Sequence, residues 1–339
     1  MIRRSGAASV TFGADDLALP LLGYGGGSLF GIAEEGDAAA QLLYAYDQGF
    51  RYFDTAPFYS SGLGEHWYGA ALRQRPRDSF VLSTKVGRLL RPQPDIPAPT
   101  DRLPFEPHYD YSYDGVMRSF DDSLQRLGLS RIDIALLHDV NPRWQGELYE
   151  QRFSEAMAGA YRALDRLRSE GVLRAIGVGL KGWEACLRFA RAGDFDCMML
   201  AGGYTLLEHE ALHEFLPHCL AHDIAVIIAS PFNSGILARG AVDGATFFYA
   251  APEPAVMERT ARIEAICRRH GVPLGAAALQ FTLGHPAVVS AVCGYGSRDE
   301  VDTNLRWAEW PIPADSWSEL KAAGLIAAHA PTSAALATA

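Results

Sequence analysis

Short apolar runs alternate along this chain with longer stretches in which apolar positions recur every three or four residues. The runs at 19–23, 51–54, 80–86, 132–137, 174–178, 197–200, 224–228 and 288–292 have strand length and composition. The stretches between and after them have helical period. The first is capped by Asp37, runs through Ala38, Leu42, Leu43 and Tyr46, and stops at Gly49. The others cover 64–74, 114–127, 155–169, 183–192, 210–222, 254–269 and 299–307. Strands that each give way to a helix predict a parallel sheet with helical crossovers. Eight such units in 339 residues predict an α/β fold, a closed (β/α)8 TIM barrel, rather than an open sheet. Before the first unit, the alternation at 9–12, the turn at 13–16 and the run at 17–19 predict a small β-hairpin.

Residues 1–339 therefore read as one barrel domain with its core over about 17–310. Two connections exceed ordinary length. Segment 88–113 holds Pro92, Pro94, Pro97, Pro99, Pro104 and Pro107, then Tyr109, Tyr111 and Tyr113; the other spans 231–255. Both follow strands, so both belong at the C-terminal mouth, where barrel enzymes carry their sites. The Ala/Thr/Ser-rich tail at 326–339 is expected to fray.

The composition, 49% hydrophobic and 21% charged, is that of a globular protein. With 30 Lys+Arg against 40 Asp+Glu the formal charge is −10, which argues against nucleic acid or an acidic membrane as partner. No apolar run reaches the roughly 20 residues of a membrane span, and Arg3 and Arg4 are followed by no signal-peptide core. Cys186, Cys197, Cys219, Cys267 and Cys293 are scattered without metal spacing, as expected of reduced thiols in a cytoplasmic protein.

Two motifs invite other readings. Gly23 to Ser28 is glycine-rich, but Ser28 stands where a dinucleotide fingerprint needs its third glycine, and no helix opens there. His209-Glu210-Ala211-Leu212-His213 fits H-E-x-x-H, which on one helical face would make a zinc hydrolase with Glu210 as base. Phe215 and Leu216 break the extended form of that motif, so a solvated helix face is the expected outcome, with no metal.

The strand ends carry a more specific pattern. Asp54 ends one strand, Tyr59 follows five residues later, Lys85 ends the next strand and His138 the one after. In a barrel all four face one mouth. A lysine that ends an apolar strand needs a partner, and Asp54 supplies one. A phenol, with pKa near ~10, is a poor base at neutral pH until a nearby ammonium stabilises its phenolate. Neutral His138 would orient the substrate oxygen, and Tyr59 would give or take the proton. Side chains cannot accept a hydride, so the chemistry calls for a nicotinamide.

These four residues resemble the tetrad of the aldo-keto reductases. So do their surroundings: Phe53-Asp54-Thr55-Ala56, Gly64-Glu65, Ser83-Thr84-Lys85, Leu136-Leu137-His138, the stretch Gly171 to Gly177, Ser230-Pro231-Phe232 and Asn304-Leu305. The resemblance covers about 17–310. It implies a (β/α)8 barrel that binds NAD(P) in extended form, with Asp54, Tyr59, Lys85 and His138 catalytic. It implies cofactor contacts from Gly179, Leu180, Ser230, Pro231, Phe232, Ser234, Gly235, Gly294, Arg298, Glu300 and Asn304.

The departures narrow this picture. Gly179-Leu180 replace the family's usual Ser-Asn, Ala201 its usual glutamine, and Ala229 the aromatic that stacks on nicotinamide. Tyr204 to Glu208 and Pro231 to Leu237 resemble the subgroup that oxidises D-threo-aldoses, L-fucose, L-galactose or pyridoxal. Gly294 and Glu300 stand where NADPH-selective members place Lys and Arg, which favours NAD, with NADP as second choice. The resemblance thus implies oxidation of an aldose at C1 to its lactone. Its alternatives are pyridoxal oxidation to 4-pyridoxolactone and NADPH-dependent carbonyl reduction. Phe30, Phe58, Trp67 and Trp144 are the expected contacts to this small-molecule substrate.

Overall fold

The computed structural model describes residues 3–5, 9–13, 17–31, 35–93 and 102–332. An antiparallel sheet of β1 (Arg3–Ser5), β2 (Ser9–Phe12) and β3 (Leu17–Pro20) opens the chain, so the expected hairpin has gained a strand. The expected first barrel strand splits at Pro20, which ends β3; β4 (Leu22–Gly25) begins two residues on. The chain continues through β5 (Tyr52–Asp54) and β6 (Val81–Val86). An antiparallel pair, β7 (Arg88–Pro92) and β8 (Phe105–Tyr109), then stands at the mouth. The Pro-rich insertion is thus a hairpin at its base, and 94–101 lie outside the described residues. After it come β9 (Ile134–His138), β10 (Ala175–Leu180), β11 (Cys197–Ala201), β12 (Ala225–Ala229) and β13 (Val288–Gly294).

Eight strands, in the order β10-β11-β12-β13-β4-β5-β6-β9, close into a parallel barrel. The order is sequential around the ring, as right-handed crossovers demand. The first sheet plugs the lower end. Val10, Phe12, Leu17 and Leu19 pack against residues at the strand starts: Tyr52, Val81, Ile134, Ala175, Cys197 and Ala225. Among the described residues this cluster is buried, so it keeps water from the strand starts.

Helices fill the outer ring. Helix Tyr113–Leu127 starts where Ser112 accepts a bond from the Gly115 N–H at 3.0 Å and stops at Gly128, in the left-handed region at φ 60°. Glu65, on helix Leu63–Leu72, is wholly buried; it accepts from Thr84 at 2.6 Å and pairs with Arg126 at 2.6 Å. That pair ties two helices to β6. Arg126→Met leaves a buried carboxylate without its cation. It is expected to lower unfolding free energy by about 3–5 kcal/mol, read as an earlier urea midpoint.

Several expectations need correction. Helix Leu274–Leu283, unforeseen, is buried at every position, so it has no polar face to give its period away. Helix Ala314–Ala322 was also missed. The tail packs further than expected: Ile326 and Ala330 are buried in the core, and only 333–339 lie outside the described residues. The helix expected at 210–222 is a short 3-10 turn, Glu210–Leu212, followed by helix Phe215–Ala221. Pro217 sits four residues after His213 and cannot donate to its carbonyl, so no helix runs through both. His209 and His213 therefore share no helical face. His209 Nε2 meets the Leu206 carbonyl at 3.1 Å. The H-E-x-x-H stretch therefore does not form the helical ligand pair that the zinc-hydrolase reading needs, and among the described residues no group of three His, Cys, Asp or Glu is placed to hold a metal ion. All five cysteines are buried and free of disulfides, and no described helix is long and apolar enough to cross a membrane.

Candidate active site

The chain of contacts at the mouth starts on β5 and β6, whose register sets Asp54 opposite Ser83. The Tyr52 hydroxyl lies 3.0 Å from Ser83 Oγ, and Ser83 Oγ donates to Asp54 Oδ1 at 2.6 Å. The other carboxylate oxygen accepts from Lys85 Nζ at 2.6 Å, and Lys85 also donates to the Thr55 carbonyl at 3.0 Å. Asp54 and Lys85 are both 3% exposed at their side chains, so neither charge would persist without the other. Burial works against the Lys85 ammonium, but Asp54 and the neighbouring Tyr59 raise its pKa above the ordinary lysine value. It stays a cation at every pH of interest.

Lys85 Nζ lies 4.8 Å from the centre of the Tyr59 ring, close enough for its charge to act on the phenol. Tyr59 opens the turn Tyr59–Gly62, in which Ser60 and Ser61 take left-handed backbone. Two consecutive non-glycine residues in that region are costly backbone directly after Tyr59. Burial pushes the Tyr59 phenol above its usual pKa, Lys85 pulls it back, and Asp54 adds to the rise. The expected depression of this pKa is therefore outweighed: the resting group is a phenol. His138 stands perpendicular to the Tyr59 ring, centres 6.3 Å apart. Burial first, then Arg88 and Lys85, hold His138 far below the usual imidazole range, so it is neutral. Its Nδ1 is buried without a partner, and its Nε2 lies 3.4 Å from Asp139 Oδ2.

Asp139 and Arg88 are neighbours that the strand-end pattern did not single out. Arg88 donates to Asp139 Oδ2, and its guanidinium lies 4.0 Å over Phe58 and 4.7 Å over Tyr109. The signal was available: an arginine and an aspartate of opposite charge each follow a catalytic strand end within three residues.

The expected cofactor residues fall into two groups. Gly179 and Leu180 end β10 beside the lysine: a Cβ on Gly179 would lie 3.4 Å from Lys85 Cε. Ala201 faces Ala229 across β11 and β12, so small side chains end both strands on this side of the mouth. Ser230, Asn233 and Ser234 all have left-handed backbone, which folds 230–235 into a tight loop above β12. Phe232 packs edge-on against Trp307 at 5.7 Å. Pro231 and Gly235 bracket this loop; Ser234 Oγ accepts from the Tyr249 N–H at 3.2 Å and ties down the following segment.

Around the last strand, Gly294 is exposed at the end of β13, and Ser297 caps helix Arg298–Ala308. Glu300 Oε2 accepts from the Gly296 N–H at 2.6 Å, while Arg298 turns onto the Tyr44 ring at 5.0 Å. Asn304 and Asn233 each keep a buried side-chain oxygen without a partner. Orphaned acceptors cost free energy unless a donor arrives. Two such acceptors near the ends of β12 and β13 fit a ligand rich in N–H and O–H donors, as a dinucleotide is.

The substrate expectations are corrected in part. Phe58 lies at the mouth, 6.3 Å from the His138 ring. Trp144 is exposed on the short helix Pro142–Gln145, just beyond His138. Trp67 is only 1% exposed and belongs to the hydrophobic core, so it lines no open surface. It sits on a helix between barrel and solvent, where a large ring fills the layer. Tyr111 is also buried and donates to the His138 carbonyl at 2.9 Å. The Phe30 side chain lies outside the described residues.

A phenol beside a charged lysine and a neutral imidazole is equipped to exchange a proton at an alcohol or carbonyl oxygen. Coupled to a hydride carrier, that makes the chain a barrel oxidoreductase. Residues 21–324 match the aldo/keto reductase family model, and the chain belongs to that family, whose members use nicotinamide cofactors. It is 41% identical to the D-threo-aldose 1-dehydrogenase of a Pseudomonas species, over 92% of this chain and 96% of that one. It is 40% identical to the pyridoxal 4-dehydrogenase of Microbacterium luteolum, over 93% of this chain and 96% of that one. Among solved structures, the holo form of aldo-keto reductase AKR11C1 from Bacillus halodurans superposes with a TM-score of 0.73. It covers 93% of this chain and 95% of its own at 24% identity, a likeness of fold.

Proposed function

We propose that this protein oxidises an aldose at C1 to the lactone, with NAD as hydride acceptor and Tyr59 as general base. The observation that carries the reading is the Asp54–Lys85 pair set against the Tyr59 ring, with neutral His138 alongside. His138 positions the anomeric hydroxyl; Tyr59, as phenolate stabilised by Lys85, removes its proton. Loss of that proton makes the C1 hydride labile. A bound nicotinamide would supply the acceptor, and Gly179, Leu180, Ser230, Pro231, Phe232, Ser234, Gly235, Gly294, Arg298, Glu300 and Asn304 would hold it.

The substrate class rests on the relative that acts on D-threo-aldoses. Pyridoxal is the second reading, favoured by the equally similar relative that oxidises it; it too closes to a hemiacetal and gives a lactone. Initial rates with NAD for L-fucose, L-galactose, D-arabinose and pyridoxal, side by side, test the choice. An aldose is expected to give the highest kcat/KM; pyridoxal ahead of all three would reassign the substrate and keep the mechanism.

NAD rather than NADP is proposed from charge. Glu300 is folded against the loop after β13, and Arg298 is drawn onto Tyr44. A carboxylate there repels a 2′-phosphate and accepts from a ribose hydroxyl. Glu300→Arg is expected to shift the ratio of kcat/KM for NADP over NAD upward by about tenfold or more, the worth of one charge-assisted contact. An unchanged ratio would remove Glu300 from the cofactor site. The buried thiols and net negative charge support a cytoplasmic setting.

A further inference from the structure

The Arg88–Asp139 pair is more costly than a structural clip needs to be. Asp139 is a non-glycine residue at φ 57°, held there by its own N–H on the Gly179 carbonyl at 3.1 Å. Arg88 is 6% exposed, and its Nε is buried without a partner. Both would be cheaper to replace by apolar residues if the pair only pinned the mouth hairpin to the barrel. Backbone strain, a buried ion pair and an orphaned donor instead coincide beside His138, whose Nε2 lies 3.4 Å from Asp139 Oδ2.

The geometry points to a specificity site: we propose that Arg88 and Asp139 read the hydroxyl on the carbon next to the one oxidised, the C2 hydroxyl of an aldose. A hydroxyl is donor and acceptor at once. Asp139 leaves its second carboxylate oxygen outside the ion pair and takes the hydroxyl hydrogen; an accessible N–H of the Arg88 guanidinium, not the sealed Nε, donates to the hydroxyl oxygen. The Phe58 and Tyr109 faces hold the guanidinium flat against rotation. The pair carries no net charge, so it selects a neutral polyol over a substrate bearing a carboxylate or phosphate. This inference deepens the aldose reading and rests on it.

The test compares the best aldose with its 2-deoxy analogue, in the wild type and in D139N, D139G and R88M. Asparagine and glycine both tolerate the left-handed backbone, so the turn survives. The wild type is expected to prefer the parent sugar by about 10- to 100-fold in kcat/KM, the worth of a hydrogen bond to a charged group. The variants should lose most of that preference, by slowing the parent sugar while the 2-deoxy sugar is little changed. Intrinsic reactivity differences between the two sugars cancel in this comparison. Equal losses on both sugars, with the preference intact, would overturn the proposal and leave the pair a structural clip. NAD binding by intrinsic fluorescence is measured alongside. A wild type that binds NAD but oxidises no aldose would refute the function reading itself, an outcome distinct from an unchanged preference.

Discussion

Tyr59→Phe is expected to lower kcat by about a thousandfold, within the usual range for a removed general base, while NAD affinity stays within a fewfold of the wild type. The substitution deletes one oxygen and leaves the ring over Lys85. Nothing in the Asp54–Lys85 pair depends on that oxygen, since Lys85 keeps its bonds to Asp54 and the Thr55 carbonyl. The pH dependence follows from the direction of the shift. Burial holds the phenol above its ordinary pKa, so the base form grows as pH rises. Oxidation is expected to quicken from neutral to alkaline pH, and the reverse carbonyl reduction, which needs the protonated phenol, to slow. His138 contributes no limb above pH 6, because it is neutral throughout. The variant should lose the slope along with the rate. Stopped-flow absorbance of the reduced cofactor across pH reads both.

Lys85→Met carries the second large effect, on stability as well as rate. It leaves Asp54 buried with Ser83 as its remaining side-chain donor. Stranding one member of a buried pair costs about 3–5 kcal/mol, a large part of the 5–15 kcal/mol that holds a typical domain folded. Turnover should be lost to at least the extent seen for Tyr59→Phe, because the phenolate has lost its cation. The double variant D54N/K85M separates the two roles. It removes both charges, so it is expected to recover most of the lost stability and none of the activity. A K85M protein as stable as the wild type would show that the pair is not sealed from water as described.

The catalytic groups were legible because they end strands. Alternation of apolar runs and amphipathic stretches located the strands, and Asp54, Lys85 and His138 close three of them in a ring whose order is sequential. What periodicity cannot report was missed. Helix Leu274–Leu283 is buried at every position, Gln280 and Thr282 included, so it shows no polar stripe of helical period. The single helix read across 210–222 ignored Pro217, whose missing N–H was visible in the sequence. Trp67 was assigned to the mouth from its composition as an aromatic, whereas its helix turns it into the core. The balance of terms on Tyr59 was also beyond the sequence: a neighbouring lysine predicts a lowered pKa, and only the depth of burial shows that desolvation wins. Arg88 and Asp139 each follow a strand end that the sequence located, and they meet because β6 and β9 lie side by side in the barrel.

The central claim is that a hydride leaves C1 of an aldose while Tyr59 takes the hydroxyl proton. It is tested most directly with an aldose deuterated at C1, turned over with NAD, and with the products examined by mass spectrometry. The account predicts one deuterium in the reduced nicotinamide, none in solvent, and a lactone as the first sugar product. Protium in the reduced cofactor, or an oxidised sugar that still carries its C1 deuterium, would contradict it.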